Sequence, residues 1–506
     1  MVFSSLTFVF GFLPVTLIGF LICSKINLGL AKLFLCIASI AFYGWWEPRW
    51  VPVLLISIIF NYAMAVAIID CSKRGRSPAV LLWAAIGLNL LALVYYKYLA
   101  AMLGFFSIDS GWASTGLPLG ISFFTFTQIA FLVDVSQRFN GRRYSPTNYF
   151  LFVTFFPHLI AGPIVHHRDL MPQFEEKRNY LFQPREFAIG LALFSIGLAK
   201  KTLLADSLAS LSAKMLAHDH VHAQAAWVGV IAYSLQLYFD FSGYSDMAIG
   251  LARMFGIKFP INFDSPYKAT SIIDFWQRWH ITLTRFLTAY IYNPIALVLV
   301  RRRASAGLST SKKASKTVGG FLEMIAMPTF ITMLLAGVWH GAGLHFVVFG
   351  ALHGFYISVN HAWRTFAPRS DALTGRAAGS LRKMAYWALV YLCVLVAQLF
   401  FRATSVGEAL RVLHDMLGLY KGATFLELPA RREIAIFVGA ALLALFAPNT
   451  QQIMASFEPA LPSGQVFRQS FLQARLDLKW AVSLGVILSL GLFSIRDGQP
   501  FIYFQF

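Results

Sequence analysis

Residues 332–355 form the apolar segment TMLLAGVWHGAGLHFVVFGALHGF, in which His340 stands between a tryptophan and a glycine. Two further histidines, His345 and His353, follow within the same segment. Apolar runs of this length are typical of membrane proteins. An ionisable side chain at membrane depth is costly and usually faces a protein interior or a water-filled cavity. The segment therefore predicts the wall of a polar site inside a membrane protein.

The composition of the whole chain indicates the same class of protein. Of its 506 residues, 58% are hydrophobic and only 13% are charged, whereas soluble proteins carry about 25% charged residues. About 14 apolar segments succeed one another, and a helix needs about 20 residues to cross the hydrocarbon layer. Some segments are short or interrupted, which is tolerated only where protein buries them or they line a cavity. We predict an all-α, polytopic integral membrane protein with about 11–13 transmembrane helices and several re-entrant segments.

The charge distribution argues against nucleic-acid binding. The net charge is +19, but the basic residues stand in short clusters between apolar segments, such as Lys73-Arg74, Arg142-Arg143 and Arg301-Arg302-Arg303. This pattern is typical of the positive-inside rule, whereas a nucleic-acid interface needs basic residues massed on an exposed domain. We therefore expect membrane lipids around the protein and no nucleic-acid partner. The four cysteines form no Cys-x-x-Cys pair, so neither a disulfide framework nor a thiolate metal site is predicted.

A proline-rich region, FFPHLIAGPIVHHRDLMPQF at 155–174, carries His158, His166 and His167. Two of its prolines interrupt the helix beside these histidines. We favour a broken helix end whose histidines are solvated among the lipid headgroups. The alternative is a re-entrant element that lines a pocket.

Asp240 and Asp246 lie in the otherwise apolar segment YSLQLYFDFSGYSDMAIG, residues 233–250. On a helix they are separated by about 600° and therefore lie on different faces, so they do not form an acid–base pair. Carboxylates at membrane depth rarely face lipid. We predict that both hold helices together through internal hydrogen bonds.

Residues 260–293 are unusually polar for this chain. Ser271 and Asp274 fit a capping box, and we predict one helix from there onward, with Asp274 and Arg278 on a polar face and His280 on another. Such a segment suits an access funnel or an interfacial helix. Asp274 and Arg278 are therefore candidate substrate-binding residues, while His280 by itself fits a site role and a structural role equally well.

Five segments resemble the membrane-bound O-acyltransferases, and they are spread over most of the chain. They are GISFFTFTQIAFLVD (120–134), FFPHLIAGPIVHHRDLMPQF (155–174), YFDFSGYSDMAIGLARMFGIKFPINFDSPYKATSIIDFWQRWHITLTRFL (238–287), GVWHGAGLHFVVFGALHG (337–354) and FIYFQF (501–506). Their order and spacing together make the resemblance specific. Within the family, the chain is most similar to the bacterial branch that O-acetylates polysaccharides such as alginate.

The resemblance implies a fold and two catalytic histidines. It implies a single membrane domain over residues 1–506 around a central tunnel, with core motifs at 118–363 and a C-terminal tail at 496–506. The essential histidine of the family matches His340, and its second motif histidine matches His280. Both are therefore implied to be catalytic.

The C-terminal tail is similar to that of the small partner protein in D-alanyl lipoteichoic acid transfer, in which a tail tyrosine carries the acyl group. Tyr503 is the matching position and hence a candidate acyl relay; the alternative is an aromatic anchor at the membrane interface. One loop departs from the branch. Where the alginate proteins continue Tyr-x-Pro-Leu-Gly-Gly, residues 289–300 are AYIYNPIALVLV. The polymer that is acetylated therefore stays open.

The chemistry expected at His340 follows from its side chain. A hydroxyl is a weak nucleophile, and a neutral imidazole can take its proton as it attacks. Trp339 and Gly341 flank this general base and are candidate substrate-binding residues, since glycine lets a substrate approach the backbone closely. We interpret His345 and His353 as structural. Their offsets of 5 and 13 residues from His340 do not bring the three rings to one helical face, so we predict no metal site.

The predicted function is transfer of an acetyl or similarly short acyl group to a hydroxyl. We expect acetyl-CoA on the cytoplasmic side as the donor, no bound cofactor, and a location in the bacterial inner membrane. The acyl group would pass outward to a periplasmic acetyltransferase partner of SGNH type that modifies an exopolysaccharide, alginate-like or cellulose-like. Two alternatives stay open: acylation of a lipid or protein, and a transporter or flippase. The latter predicts a symmetry between sequence halves that we do not detect.

Overall fold

The computed structural model describes residues 1–106, 116–137, 143–367, 376–420, 429–461, 470–496 and 501–502. Among these residues Phe263 and Trp279 form an isolated antiparallel bridge. The α-helices are, in chain order, α1 (Leu13–Ile26), α2 (Leu28–Gly44), α3 (Val51–Lys73), α4 (Ala79–Leu93), α5 (Leu99–Phe105), α6 (Ile121–Gln137), α7 (Pro146–Thr154), α8 (His167–Leu170), α9 (Pro184–Ala199), α10 (Asp206–Met215), α11 (Ala223–Met254), α12 (Ile272–Arg278), α13 (Ile281–Leu287), α14 (Asn293–Ser305), α15 (Val318–Phe321), α16 (Met327–His340), α17 (Leu344–Phe366), α18 (Arg376–Arg402), α19 (Val406–Met416), α20 (Arg431–Phe446), α21 (Thr450–Ile453) and α22 (Leu478–Phe493). The all-α class predicted from the sequence is confirmed.

Shorter helical turns complete these elements. The π-helical turns are Thr7–Phe12, Val94–Tyr98, Lys200–Ala205, Thr288–Tyr292 and Leu322–Ala326. The 3-10 turns are Pro48–Trp50, Met171–Phe174, Lys177–Tyr180, Pro266–Lys268, Ala314–Lys316 and Ala455–Phe457. Each π-helical turn runs directly into an α-helix, so the two together form one longer rod.

Several of these rods are long and apolar enough to cross a membrane. In the part of the chain that the structure describes, seven meet both criteria: Thr7–Ile26, Pro48–Lys73, Ala79–Gly104, Pro184–Met215, Ile281–Ser305, Val318–His340 and Gly379–Arg402. Three shorter apolar helices accompany them, namely Leu28–Gly44, Ile121–Gln137 and Leu478–Phe493. The polytopic membrane protein predicted from the sequence is confirmed, whereas the number of 11–13 crossings and the central tunnel stay predictions.

The chain divides into two compact units. The first comprises Met1–Leu203, Phe239–Ile261 and Thr450–Phe506, and the second comprises Leu204–Tyr238 and Asn262–Asn449. The single domain implied by the resemblance stays a prediction.

Within the first unit, α9 packs against the second half of α11 through glycines. A Cβ on Gly250 would lie 2.5 Å from the carbonyl oxygen of Gly190, and one on Gly197 would lie 2.6 Å from that of Gly243. The two backbones therefore touch at both levels. Small residues are what allows helices to approach so closely in membranes, where no hydrophobic driving force joins them.

The two carboxylates of α11 lie inside this unit. Asp240 pairs with Lys201 at 2.7 Å, and Asp246 pairs with Lys200 at 2.7 Å. Both lysines belong to the π-helical turn that follows α9. The predicted role of the two carboxylates in joining helices is therefore confirmed, and in each case a lysine supplies one of the contacts.

The proline-rich region differs from the favoured prediction. Its helix α7 ends at Thr154, and the chain runs without regular structure through a buried stretch to His166. His158 and His167 are only 6% and 4% exposed, so the interpretation as solvated histidines is wrong for both. His158 packs edge-on against Phe259, with their ring centroids 5.5 Å apart. The prolines alone favour histidines at the lipid headgroups, whereas in the structure these two histidines are buried inside the protein.

Candidate functional site

His340 is the last residue of α16 in the second unit. The chain then becomes extended at Gly341, with φ −171° and ψ 169°, before α17 begins at Leu344. The imidazole of His340 is 5% exposed. Phe349 and Phe401 approach it with edge-to-face geometry, their ring centroids lying 5.7 Å and 5.1 Å from that of His340. The polar ring is therefore held between two aromatic side chains inside the protein.

Helices α16 and α17 meet at glycines in the turns that precede His340 in α16. A Cβ on Gly350 would lie 2.5 Å from the carbonyl oxygen of Met333 and 3.0 Å from the Cα of Gly337. Gly341 plays a similar part, since a Cβ there would clash with the ring of Phe346. The glycine of the Trp-His-Gly step is therefore required for close packing against Phe346. Substrate binding by Trp339 and Gly341 stays a prediction.

Gly350→Ala is expected to destabilise the protein, because backbone atoms on α16 cannot move away from the added methyl group as a side chain would. Overpacking of this kind typically costs about 1–3 kcal/mol. Thermal unfolding of the purified protein in detergent measures the loss. Gly439→Ala is the matched control, because a Cβ at that position in α20 meets nothing within 4 Å. Equal unfolding temperatures for the two variants would contradict the close contact.

His280 occupies a sharp turn between α12 and α13. Its backbone has φ 44° and ψ 53°, the left-handed region, which is strained for a residue other than glycine and is enriched at functional sites. Asn262 stabilises the turn. Its side-chain oxygen lies 3.2 Å from His280 Nδ1 and accepts a hydrogen bond of 2.7 Å from the Thr282 hydroxyl, while its carbonyl oxygen accepts one of 3.0 Å from the Ile281 N–H. With Nδ1 donating to Asn262, Nε2 is the acceptor nitrogen of the ring.

The single helix predicted onward from Ser271 is wrong. Helix α12 ends at Arg278 and α13 begins at Ile281, and between them Trp279 forms an antiparallel bridge with Phe263. The segment around Phe263 thus supplies backbone hydrogen-bond partners that replace those of a continuous helix around Trp279. As a consequence, the predicted polar face does not continue from α12 into α13.

Asp274 and Arg278 form an ion pair on α12. The Arg278 Nε donates to Asp274 Oδ1 at 2.7 Å, and both side chains are 31% exposed. Arg278 also lies 3.8 Å from a carboxylate oxygen of Asp264. Because the arginine is already matched by two carboxylates, an anionic substrate would have to compete with them. The predicted role of Asp274 and Arg278 in substrate binding stays a prediction.

His353 connects the elements that carry the two candidate catalytic histidines. Its Nδ1 accepts a hydrogen bond of 3.1 Å from the indole N–H of Trp276 in α12. Its ring centroid also lies 4.8 Å from that of Phe349, which packs against His340 on the other side. The contacts fit the structural role that we predicted for His353. This indole–imidazole bond and the Asn262 support are features that sequence reasoning missed.

The protein should become less stable as the pH is lowered from about 7.5 to about 5, because His280 is buried in its neutral form. Burial lowers the pKa of His280, which lies outside the candidate spans, to about 3, whereas an unfolded histidine titrates near about 6.5. Between these values only the unfolded chain binds the proton, so acidification favours unfolding. His280→Gln should show a smaller drop in unfolding temperature between about pH 7.5 and pH 5 than the wild type. An identical drop in both proteins would contradict the burial of a neutral His280.

Two predicted features are left. Tyr503 lies outside the described residues. Among the described residues, no group of three or more histidine, cysteine, aspartate and glutamate side chains could hold a metal ion.

Comparison with known sequences gives a consistent result. A sequence model of the membrane-bound O-acyltransferase family matches residues 40–310, a range that contains His280 and ends before His340. The peptidoglycan O-acetyltransferase of Helicobacter pylori is 38% identical over 457 residues, covering 83% of this chain and 80% of that protein.

Two further relatives are described as probable alginate O-acetylases. The one from Pseudomonas aeruginosa is 34% identical over 426 residues, covering 82% of this chain and 75% of that protein. The one from Azotobacter vinelandii is 32% identical over 538 residues and covers 100% of both. The chain therefore belongs to the membrane-bound O-acyltransferase family and is an integral-membrane O-acyltransferase.

Proposed function

We propose that this enzyme transfers acetyl, or a similarly short acyl group, from acetyl-CoA at the cytoplasmic face of a bacterial inner membrane toward a periplasmic polysaccharide. The observation that carries the proposal is the buried His340 at the end of α16, held by Phe349 and Phe401, in a chain that belongs to this family. The names of the relatives refer to peptidoglycan and to alginate, which supports a polysaccharide as the final acceptor.

The proposed reaction needs one base and one hydroxyl. The hydroxyl oxygen attacks the thioester carbonyl carbon while His340 takes the hydroxyl proton. The new C–O ester bond forms, the C–S bond breaks, and the departing sulfur receives the proton from the imidazolium. Such general-base catalysis contributes about 10²- to 10⁴-fold to the rate.

We assign the first acceptor hydroxyl to Tyr503. In a second transfer, a hydroxyl of a periplasmic acetyltransferase partner of SGNH type attacks the tyrosine ester. The acyl bond to the tyrosine oxygen breaks, that oxygen receives a proton and becomes a hydroxyl again, and the partner then esterifies the polymer. A relay is chemically useful because acetyl-CoA stays on one side of the membrane while the polymer lies on the other. The tail motif FIYFQF supports this assignment.

His280 is the second proposed catalytic residue. Its ring is neutral at pH 7, since burial lowers its pKa to about 3, and its orientation is fixed by Asn262. A fixed neutral imidazole offers a hydrogen-bond acceptor without the cost of a buried charge. We propose that it orients a reacting group rather than exchanging protons with bulk water.

The side from which the donor enters can be tested with membrane vesicles. Inside-out vesicles that expose the cytoplasmic face should transfer radiolabelled acetyl from added acetyl-CoA, whereas sealed right-side-out vesicles should not. Permeabilising the right-side-out vesicles is the control that restores access. Equal transfer by both sealed preparations would contradict a cytoplasmic donor.

The acceptor can be tested in cells that lack the gene. Loss of O-acetyl groups from one polysaccharide fraction, measured by NMR on exopolysaccharide, cellulose-like polymer and peptidoglycan separately, should identify it. Restoration by the cloned gene is the control. Unchanged polysaccharides together with loss of an acylated lipid or protein would instead support the alternative acceptor class.

A further inference from the structure

The two ion pairs of α11 are alike in position but differ in what else they bind. Besides Lys200, the Asp246 carboxylate accepts hydrogen bonds from the Thr450 hydroxyl at 2.7 Å and from the Gln451 amide at 3.1 Å. The partners of Asp246 thus come from neighbouring helices. The Asp240 carboxylate, besides Lys201, binds a segment from the far end of the chain.

That segment is the beginning of the C-terminal tail. The Ile502 N–H donates to Asp240 Oδ2 at 2.8 Å, a contact between residues 262 positions apart. Asp240 is 1% exposed and Ile502 is 5% exposed, so water does not compete for this hydrogen bond. A backbone donor bonded to a buried carboxylate is a charge-assisted contact, roughly twice as strong as one between neutral groups.

The residue before it is fixed by aromatic stacking. The ring of Phe501 lies nearly parallel to that of Tyr244, with centroids 4.4 Å apart and planes 21° apart, and it lies 5.8 Å from Phe241. Phe501 is 2% exposed. The stacked ring specifies which residue occupies the position, and the hydrogen bond fixes the backbone immediately after it. Together these contacts set the register of the tail.

We propose that Asp240, Lys201 and Tyr244 form a tail socket, whose function is to seat Phe501 and Ile502 and thereby to position Tyr503, the next residue in the sequence. This inference rests on the proposed acyl relay, because a carrier hydroxyl is useful only if it is delivered to a defined place. The three socket residues are positioning residues. Besides joining α11 to the turn after α9, the Asp240 carboxylate gives the Ile502 N–H a buried, charged acceptor.

Release of the tail can be measured directly with a thiol at the buried position. In Ile502→Cys the backbone N–H is retained, so a polar maleimide should label position 502 slowly in the full-length protein. Adding Asp240→Leu with Lys201→Met removes the acceptor and the cation together, and such apolar replacement of a buried pair is often neutral for stability. Labelling should become about 10- to 100-fold faster, which corresponds to the loss of one hydrogen bond to a charged group.

The matched control is the neighbouring pair. Asp246→Leu with Lys200→Met makes the same chemical change six residues further along α11, where the carboxylate binds Thr450 and Gln451 instead of the Ile502 N–H that Asp240 binds. Labelling at position 502 should change by less than about 3-fold, well below the effect of losing a charged hydrogen bond. Equal acceleration by both double variants, or none by the socket variant, would overturn the socket.

Activity separates the positioning role from the relay itself. Ile502→Pro removes the donor N–H and should lower acetyl transfer about 10-fold or more, the effect expected for one charged hydrogen bond, whereas Ile502→Val should not. If Ile502→Pro retains full transfer while Tyr503→Phe loses it, the positioning role is overturned and the relay stands. If Tyr503→Phe is fully active, the relay fails, and the labelling result still decides whether the socket holds the tail.

Discussion

His340→Ala is expected to reduce acetyl transfer by about 10²- to 10⁴-fold, the usual contribution of a general base. The substitution removes the only group in the Trp-His-Gly step that can accept a proton. Alanine favours the helical conformation, so α16 should still extend as far as residue 340. The measurement is the O-acetyl content of the polymer in cells, together with acetyl transfer by isolated membranes.

Two variants control for a loss of packing around His340. His340→Gln fills most of the same space between Phe349 and Phe401 but cannot act as a base, and it should be as inactive as the alanine variant. His345→Ala removes a histidine that is 9% exposed in the same segment and should retain most of the activity. Protein amounts in the membrane must match. Retained acetylation in His340→Ala would contradict the role of His340 as the general base.

Local sequence signals gave the parts of the site that depend on neighbours in the chain. The spacing of Ser271 and Asp274 predicts a helix cap, and the Ser271 hydroxyl does accept the Asp274 N–H at 3.1 Å. The cost of a carboxylate in lipid predicts that both acidic residues of α11 lie inside the protein, and each pairs with a lysine there. Capping and the cost of desolvation act over short distances, so their patterns can be recognised without a fold.

The turn at His280 could not be predicted from local sequence patterns. A periodic pattern of polar residues favours one continuous helix, and nothing local requires a left-handed residue in its middle. The turn exists because Asn262, 18 residues earlier, binds both His280 and Thr282. The same limit applies to the tail socket, in which Ile502 and Asp240 are separated by 262 residues. Contacts of this kind are decided by the fold as a whole.

Tyr503→Phe is expected to reduce polymer O-acetylation to the level of cells that lack the gene. The substitution removes one oxygen atom, the atom that would carry the acetyl ester, and keeps the aromatic ring that an interfacial anchor needs. Wild-type membranes given acetyl-CoA without the partner acetyltransferase should accumulate an acetylated tail peptide, detectable by mass spectrometry and removable with hydroxylamine. The same peptide from the Tyr503→Phe variant should stay unmodified.

Combining this variant with the others orders the steps of the relay. His340→Ala should prevent loading of the tail, because the tyrosine hydroxyl then has no base to take its proton as it attacks. Phe504→Leu, which leaves the Tyr503 hydroxyl intact, should load and transfer normally if only that hydroxyl reacts. A fully active Tyr503→Phe would exclude the relay, and His340 would then have to act directly on the hydroxyl of the final acceptor or of the partner enzyme.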